Sequence, residues 1–306
     1  MNKIKLAALS AAALALAVQP LLLPQTQAAA AASATAVSTV STSEVYRSFE
    51  ALLKQPGKLA QAKTYLGQHI SKATRREASL MTLHLENAQN KALETLENRL
   101  GAPSVQAELS KLYKQGDSLS TLIQRTQDAS LKKLLTQAKQ QGYRLETAEG
   151  MFFPMIDYAQ YSPFSAYVTP DIKAYIGIMS VESTRVPLKD AAIVIGYQEI
   201  AARALSQESF IQKYPHSNRI TQIKALFEQY RTLTFYGANN TPLFDYESGQ
   251  ITPNAKKGYL AFLQRNNPKG SPYLTQLASF MKLVADNQDQ RTDAVNDYLK
   301  KNVPLD

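Results

Sequence analysis

The chain has 306 residues, no cysteine, no tryptophan and a formal charge of +9. The absent thiols exclude disulfides, thiolate metal sites and cysteine nucleophiles together. A chain of this length buries a core without covalent staples.

The first segment reads as an export signal. Lys3 and Lys5 precede the apolar run Leu6 to Val18, Gln19-Pro20 breaks it, and small residues follow. This order predicts a secretory signal peptide over 1–28, with small-x-small cleavage positions at Ala28, Ala30 and Ala34. An uncleaved anchor needs about 20 apolar residues, and the Pro and Gln interruptions argue against one. No later segment is apolar enough to span a bilayer, and no Cys follows the run to carry a lipid anchor. Residues 29–42 are small and polar, which predicts a flexible tether. Losing Lys3 and Lys5 lowers the charge to +7, with the excess in 37–150 (16 Lys and Arg against 11 Asp and Glu) rather than 151–306 (16 against 14). Nucleic-acid binding calls for a denser basic stripe with interleaved aromatics. The charge suits anionic wall polymers or lipid headgroups instead.

Helices follow one another. Ser41 and Glu44 have capping-box spacing, Val45, Phe49, Leu52 and Leu53 continue at helical intervals, and Pro56-Gly57 ends the element. Thr74-x-x-Glu77 opens a second box, with Met81, Leu85, Ala88, Ala92, Leu96 and Leu100 on one stripe up to Gly101-Ala102-Pro103. Val105, Leu109 and Leu112 form the next. Asp117 and Asp128 are expected as N-caps, and Gly142 as a C′ residue. Only five of the 26 Phe and Tyr precede residue 151. The region 43–145 therefore reads as thin, aliphatic helical hairpins or a coiled-coil-like bundle.

An aromatic-rich region, 146–306, follows and opens near Met151-Phe152-Phe153-Pro154-Met155-Ile156. Thr169-Pro170, Thr252-Pro253 and Ser271-Pro272 each place a capping residue before a proline suited to the first helical position. Ile172, Tyr175, Ile176 and Met179 share one helical face. The run Ala191 to Ile195 admits a strand, but its flanks favour a buried helix of about 18 residues. No other period-2 strand or hairpin dipeptide stands out. The expected class is all-α, either an irregular helical bundle or a short α-solenoid of helical hairpins.

One internal match supports hairpins. Phe210-Ile211-Gln212-Lys213-Tyr214-Pro215-His216-Ser217 parallels Phe262-Leu263-Gln264-Arg265-Asn266-Asn267-Pro268-Lys269-Gly270-Ser271, each reading as helix end, proline turn and Ser N-cap, with Ser217 and Ser271 as the caps. The first copy resembles the helix turn of tetratricopeptide-type repeats in bacterial envelope proteins. That resemblance implies stacked helical hairpins. The copies lie 52 to 54 positions apart, against 34 in that family, so a related arrangement is implied rather than a regular array.

Catalytic signals are sparse. His69, His84 and His216 are scattered, so no metal site is expected, and no cofactor motif is present. Glu182-Ser183 after a hydrophobic helix resembles the start of the lytic transglycosylase motif, which implies Glu182 as a general acid. The continuation that family requires is replaced by Leu188-Lys189-Asp190-Ala191-Ala192. Glu149 and Asp157 flank the aromatic segment and form a candidate carboxylate pair, with capping and solvation as the plainer alternative. GxSxG and GxxxxGK[ST] are absent.

What remains is binding. Phe235, Tyr236, Asn239, Asn240, Phe244 and Tyr246 lie in one aromatic, Asn-containing connector, FYGANNTPLFDY. Core packing of its rings is the competing account. The expected protein is exported, non-enzymatic and bacterial, secreted or cell-wall associated, with an envelope protein or an anionic wall polymer as its partner. A glycan hydrolase using Glu182 is the rival, and a membrane-active helical protein ranks last.

Overall fold

Residues 43–305 are described by a computed structural model. The predicted signal peptide and tether, with Ser41, lie outside them. The described chain is mostly helical, with twelve α-helices, two 3-10 segments and three short hairpins. No helix among the described residues is long and apolar enough to cross a membrane.

The first half is organised around α3 (Arg75–Leu100). Its capping box forms as expected: Glu77 N donates to Thr74 Oγ1 at 3.3 Å and Thr74 N to Glu77 Oε2 at 3.1 Å. Glu77 Oε1 also accepts from Ser43 N at 2.7 Å, which ties the start of α1 (Glu44–Leu53) to the start of α3. The N-cap of α1 is Ser43, whose hydroxyl accepts from Tyr46 N. Met81, Leu85, Leu96 and Leu100 face the core as the stripe requires. Around α3 stand α2 (Leu59–His69), α4 (Pro103–Leu112), α5 (Leu119–Arg125) and α6 (Ala129–Gln141). Asp128 caps α6, and Gly142 ends it at φ 91°. Asp117 does not cap α5; Ser118 does, and Asp117 pairs with Arg125 instead.

The all-α expectation holds for most of the described chain, and the first of three short hairpins that it did not include lies here. β1 (Tyr143–Ala148) and β2 (Met151–Ile156) form an antiparallel hairpin, turned at Glu149 and Gly150, both with positive φ. The alternate residues Phe152, Pro154 and Ile156 are buried, a period of two. Pro154 is tolerated because the sheet has only two strands. Gln106 of α4 pairs with both polar groups of Phe152, accepting from its N at 2.9 Å and donating to its O at 2.8 Å. Glu149 and Asp157 consequently stand beyond opposite ends of β2 and form no carboxylate pair. The expected boundary at 145/146 falls inside β1, and one apolar core runs without a break from Phe49 to Val303.

Beyond a 3-10 segment (Tyr158–Ala166) come α7 (Pro170–Thr184), α8 (Tyr197–Lys213), α9 (Ile220–Phe235), α10 (Pro253–Arg265), α11 (Pro272–Asp286) and α12 (Asp293–Asn302). All three expected prolines occupy the first helical turn. α8 packs on α9, α10 and α11. At its contact with α10, a Cβ on Gly258 would lie 2.9 Å from Tyr197 Cβ, so glycine sets the closeness of the two helices.

The run Ala191 to Ile195 is not helical. β3 (Leu188–Lys189) and β4 (Ala192–Ile193) close a small hairpin at Asp190 and Ala191, with φ of 49° and 56°. α8 starts only at Tyr197. The two matched turns also differ. Ser271 caps α11, accepting from Leu274 N at 3.0 Å. Ser217 is no N-cap: α9 begins at Ile220, while Ser217 donates to Asp171 Oδ2 at 2.7 Å and accepts from Arg219 N.

Candidate functional site

The connector singled out in the sequence divides between core and surface. Phe235 is fully buried, its ring 5.2 Å from Phe280, and Phe244 is 4% exposed, 6.3 Å from the same ring. Neither ring has a face open to a ligand. Tyr236 is half-buried and its hydroxyl donates to Val303 O at 2.7 Å. The surface part of the predicted set is Asn239, Asn240 and Tyr246, the last 68% exposed.

Asn239 and Asn240 form the turn between β5 (Gly237–Ala238) and β6 (Thr241–Pro242). Gly237 is required beneath them. At φ 79°, a Cβ there would lie 2.5 Å from Leu243 N and closer still to Thr241 O.

This turn is one of a row. Asn240 N donates to Ala191 O at 2.9 Å and its amide to Asp190 O at 2.6 Å, while Ile193 N donates to Thr241 Oγ1 at 2.8 Å. On the other side of the β3–β4 turn, Asp190 accepts from Glu149 N, and Lys189 pairs with Glu146 at 2.7 Å. Tyr246 OH reaches back to Asn239 O at 3.1 Å. The following loop is closed by Asp245, which accepts from Ser248 N at 2.8 Å; those bonds hold its carboxyl below the usual range. Gly249 O then accepts from Arg291 N, and Asp289 O from Ile251 N, both at 2.9 Å. Turns near 149, 190, 239, 247 and 289 thus meet in sequence along one edge.

Every non-glycine residue with positive φ among the described residues lies in this row: Glu149, Asp190, Ala191, Gln288 and Asp289. Left-handed backbone costs about 1–2 kcal/mol at residues such as Glu149 and Ala191, and less at Asp190 and Asp289, whose short polar side chains suit it better. Exposed Met151, Val194 and Tyr246 project from the same turns. The chemistry on offer is recognition: amides, a phenol, carboxylates and apolar side chains.

Glu182, the alternative catalytic residue, sits elsewhere. Its Oε2 accepts from Tyr230 OH at 2.6 Å and from Arg203 Nη1 at 3.1 Å, and its side chain is 11% exposed. Arg203 also holds Glu199 at 2.5 Å and donates to Arg185 O at 2.8 Å. Burial raises the Glu182 carboxyl and the Tyr230 phenol, while the bonds from Tyr230 and Arg203 draw Glu182 back down. The arrangement is an ion pair between α7 and α8, closed by α9.

A more deeply buried cluster was not among the sites expected from the sequence. Glu86 of α3 accepts from Tyr158 OH at 2.5 Å and from Tyr175 OH, and its other oxygen accepts from Arg219 Nε at 2.9 Å. One turn on, Gln89 accepts from Tyr161 OH, donates to Gln141 O at 2.6 Å, and its carbonyl takes Tyr143 OH at 2.6 Å. Burial pushes the Tyr158, Tyr161 and Tyr175 phenols well above their usual value, so they remain protonated donors. The one hint in the sequence was a Glu and a Gln at helical spacing beside the apolar stripe of α3. His84 is separate, 2.6 Å from Glu50, and no group of three or more His, Asp or Glu among the described residues is placed to hold a metal.

Compared with protein-family models, with curated proteins and with solved structures, the chain finds no match.

Proposed function

We propose that this is an exported, non-enzymatic helical protein that binds a protein or an anionic polymer in the bacterial cell envelope, through the row of turns. The signal-like N-terminus supports export, and the tether over 29–42 would leave the helical body free to reach its partner. The observation that carries the binding role is the concentration of left-handed backbone in one row that also presents Met151, Val194, Asn239 and Tyr246. Strain of this kind persists where surrounding contacts over-determine it, and it gathers at recognition and switch regions. Stacked helical hairpins of a tetratricopeptide-related kind would supply the rigid support behind it.

The test is retention of the purified protein on isolated cell walls and on extracted envelope proteins, with muropeptide release assayed in parallel. Retention that falls at least tenfold in Tyr246→Ala, without muropeptide release, supports the proposal. Muropeptide release that disappears in Glu182→Gln assigns the protein to glycan hydrolysis and overturns it.

A further inference from the structure

A second feature, separate from the row of turns, is a groove of about 390 Å³ between α2 and the 3-10 segment. That volume lies within the range of small-molecule sites. One wall is a stripe on α2 and the turn after it: Lys63, Gly67 and Ser71, four residues apart and so on one face. The facing wall is Gln160, Phe164 and Tyr167. Gly67 borders open space, since a Cβ there would meet nothing within 4 Å.

Lys63 is the one charged residue among those lining the groove. The Lys63 side chain packs along the backbone at Gly142, where a Cβ would lie 3.1 Å from Lys63 Cε. Its ammonium makes no ion pair or hydrogen bond with any described residue. Burial lowers its pKa and the charge of Asp157 opposes that shift, so the position is partly desolvated and suited to an incoming anion. Asp157 is itself engaged, accepting from Gln160 Nε2 at 2.8 Å. That bond fixes the amide of Gln160 and leaves its oxygen as an acceptor. Ser71 adds a hydroxyl without a partner among the described residues. Phe164 is buried beneath the groove at 6% exposure with the Tyr161 ring 5.7 Å away, and Tyr167, 39% exposed, presents the accessible ring.

We propose that this groove binds a sugar acid, with the carboxylate on Lys63, hydroxyls on Gln160 and Ser71, and the ring face against Tyr167. A simple aliphatic acid would use the lysine and the Tyr167 ring but leave the amide and hydroxyl unmatched. A neutral sugar would leave the ammonium unpaired, and charge-assisted bonds are about twice as strong as neutral ones. The sugar acid could be free or a unit of an acidic glycan. The groove is distinct from the partner surface above, so either assignment can fail alone.

Glucuronate, an oligosaccharide containing it, glucose and inorganic phosphate serve as probes, titrated into the purified protein and followed by NMR chemical shifts. Expected is binding of glucuronate or its oligosaccharide at least tenfold tighter than glucose and phosphate. A monomer as strong as the oligosaccharide assigns a free ligand; a stronger oligosaccharide assigns a glycan. Lys63→Gln, which keeps most of the stem, should erase the preference over glucose. Gly67→Trp, at an open helical surface position, should block every sugar while retaining wall or partner binding. The proposal is overturned if no acidic sugar binds, if glucose or phosphate binds equally well, or if Lys63→Gln retains the preference in a folded protein.

Discussion

In the helical body, buried charges are paired across long stretches of chain: Glu86 meets Arg219 from 133 positions away, and two tyrosines complete its shell. Along the row of turns the polar groups are exposed, the bonds join one turn to the next, and the backbone carries left-handed residues. The body therefore spends its polar groups on holding helices in register. The row keeps its polar groups available at the surface and depends on the body for rigidity. Phe244 is where the two are joined, because its ring enters the core from a chain segment that otherwise belongs to the row.

The contrast is sharpest at Glu86. Glu86→Gln leaves Arg219 without its carboxylate in a buried site, and removing one partner of a buried pair costs about 3–5 kcal/mol. Denaturant unfolding measures it. Glu182→Gln should cost less, about 1–3 kcal/mol, because Arg203 retains Glu199 and the Arg185 carbonyl. Equal losses would mean that the two clusters do the same structural work.

Phe244→Ala tests the junction. A buried Phe→Ala change costs about 3 kcal/mol or somewhat more, so thermal stability should fall while wall or partner binding survives below the new melting point. Unchanged stability with lost binding would reassign Phe244 to the recognition surface. A smaller change of opposite sign is expected within the row. Ala191→Gly relieves a φ of 56° and should stabilise the fold by about 1 kcal/mol, without affecting the Glu86 cluster.

Acid provides a further separation. Backbone hydrogen bonding by Ser43, with smaller contributions from Thr74, holds Glu77 at about 2 against an ordinary 4.5. Its contribution is present above pH 4.5 and is lost as pH falls toward 2, which should loosen α1 from α3 first. Burial raises Glu182, so its contribution runs the other way: present below the ordinary carboxylate value and lost as pH rises through the raised one. Unfolding midpoints of wild type, Glu77→Gln and Glu182→Gln across pH 2 to 7 should show differences of opposite slope. The smallest stability effect belongs to Tyr246→Ala, within about 0.5 kcal/mol for an exposed side chain. A larger loss would place Tyr246 in the body rather than at the surface.

Local signals were legible and held. The Thr74 to Glu77 box, the Asp128 cap, Gly142 at the end of α6 and the three prolines that open helices each need only a few neighbouring residues, and each formed as expected. The β1–β2 hairpin was missed because Glu-Gly is a less common turn pair and Pro154 demotes a strand. The six residues of β2, Met151 to Ile156, carry no polar alternation, so the period of two shows only in their burial. The β3–β4 hairpin was missed for a different reason. Ala191 adopts a left-handed conformation that alanine does not favour, and bonds with Asn240 and Thr241, some fifty residues on, hold that segment in place.

By itself, then, the sequence determined the mainly helical character and several helix starts and stops, among them those at Thr74, Asp128, Gly142 and the three prolines, since propensity, capping and periodicity act over one or two turns. Only the tertiary structure decided which of the connector rings were buried, that five turns line up along one edge, and that Glu86, Arg219 and three tyrosine-bearing segments share one buried cluster. Those outcomes rest on contacts between residues tens to more than a hundred positions apart, and the cost of leaving a buried charge or amide unpaired fixes them only once the chain has closed.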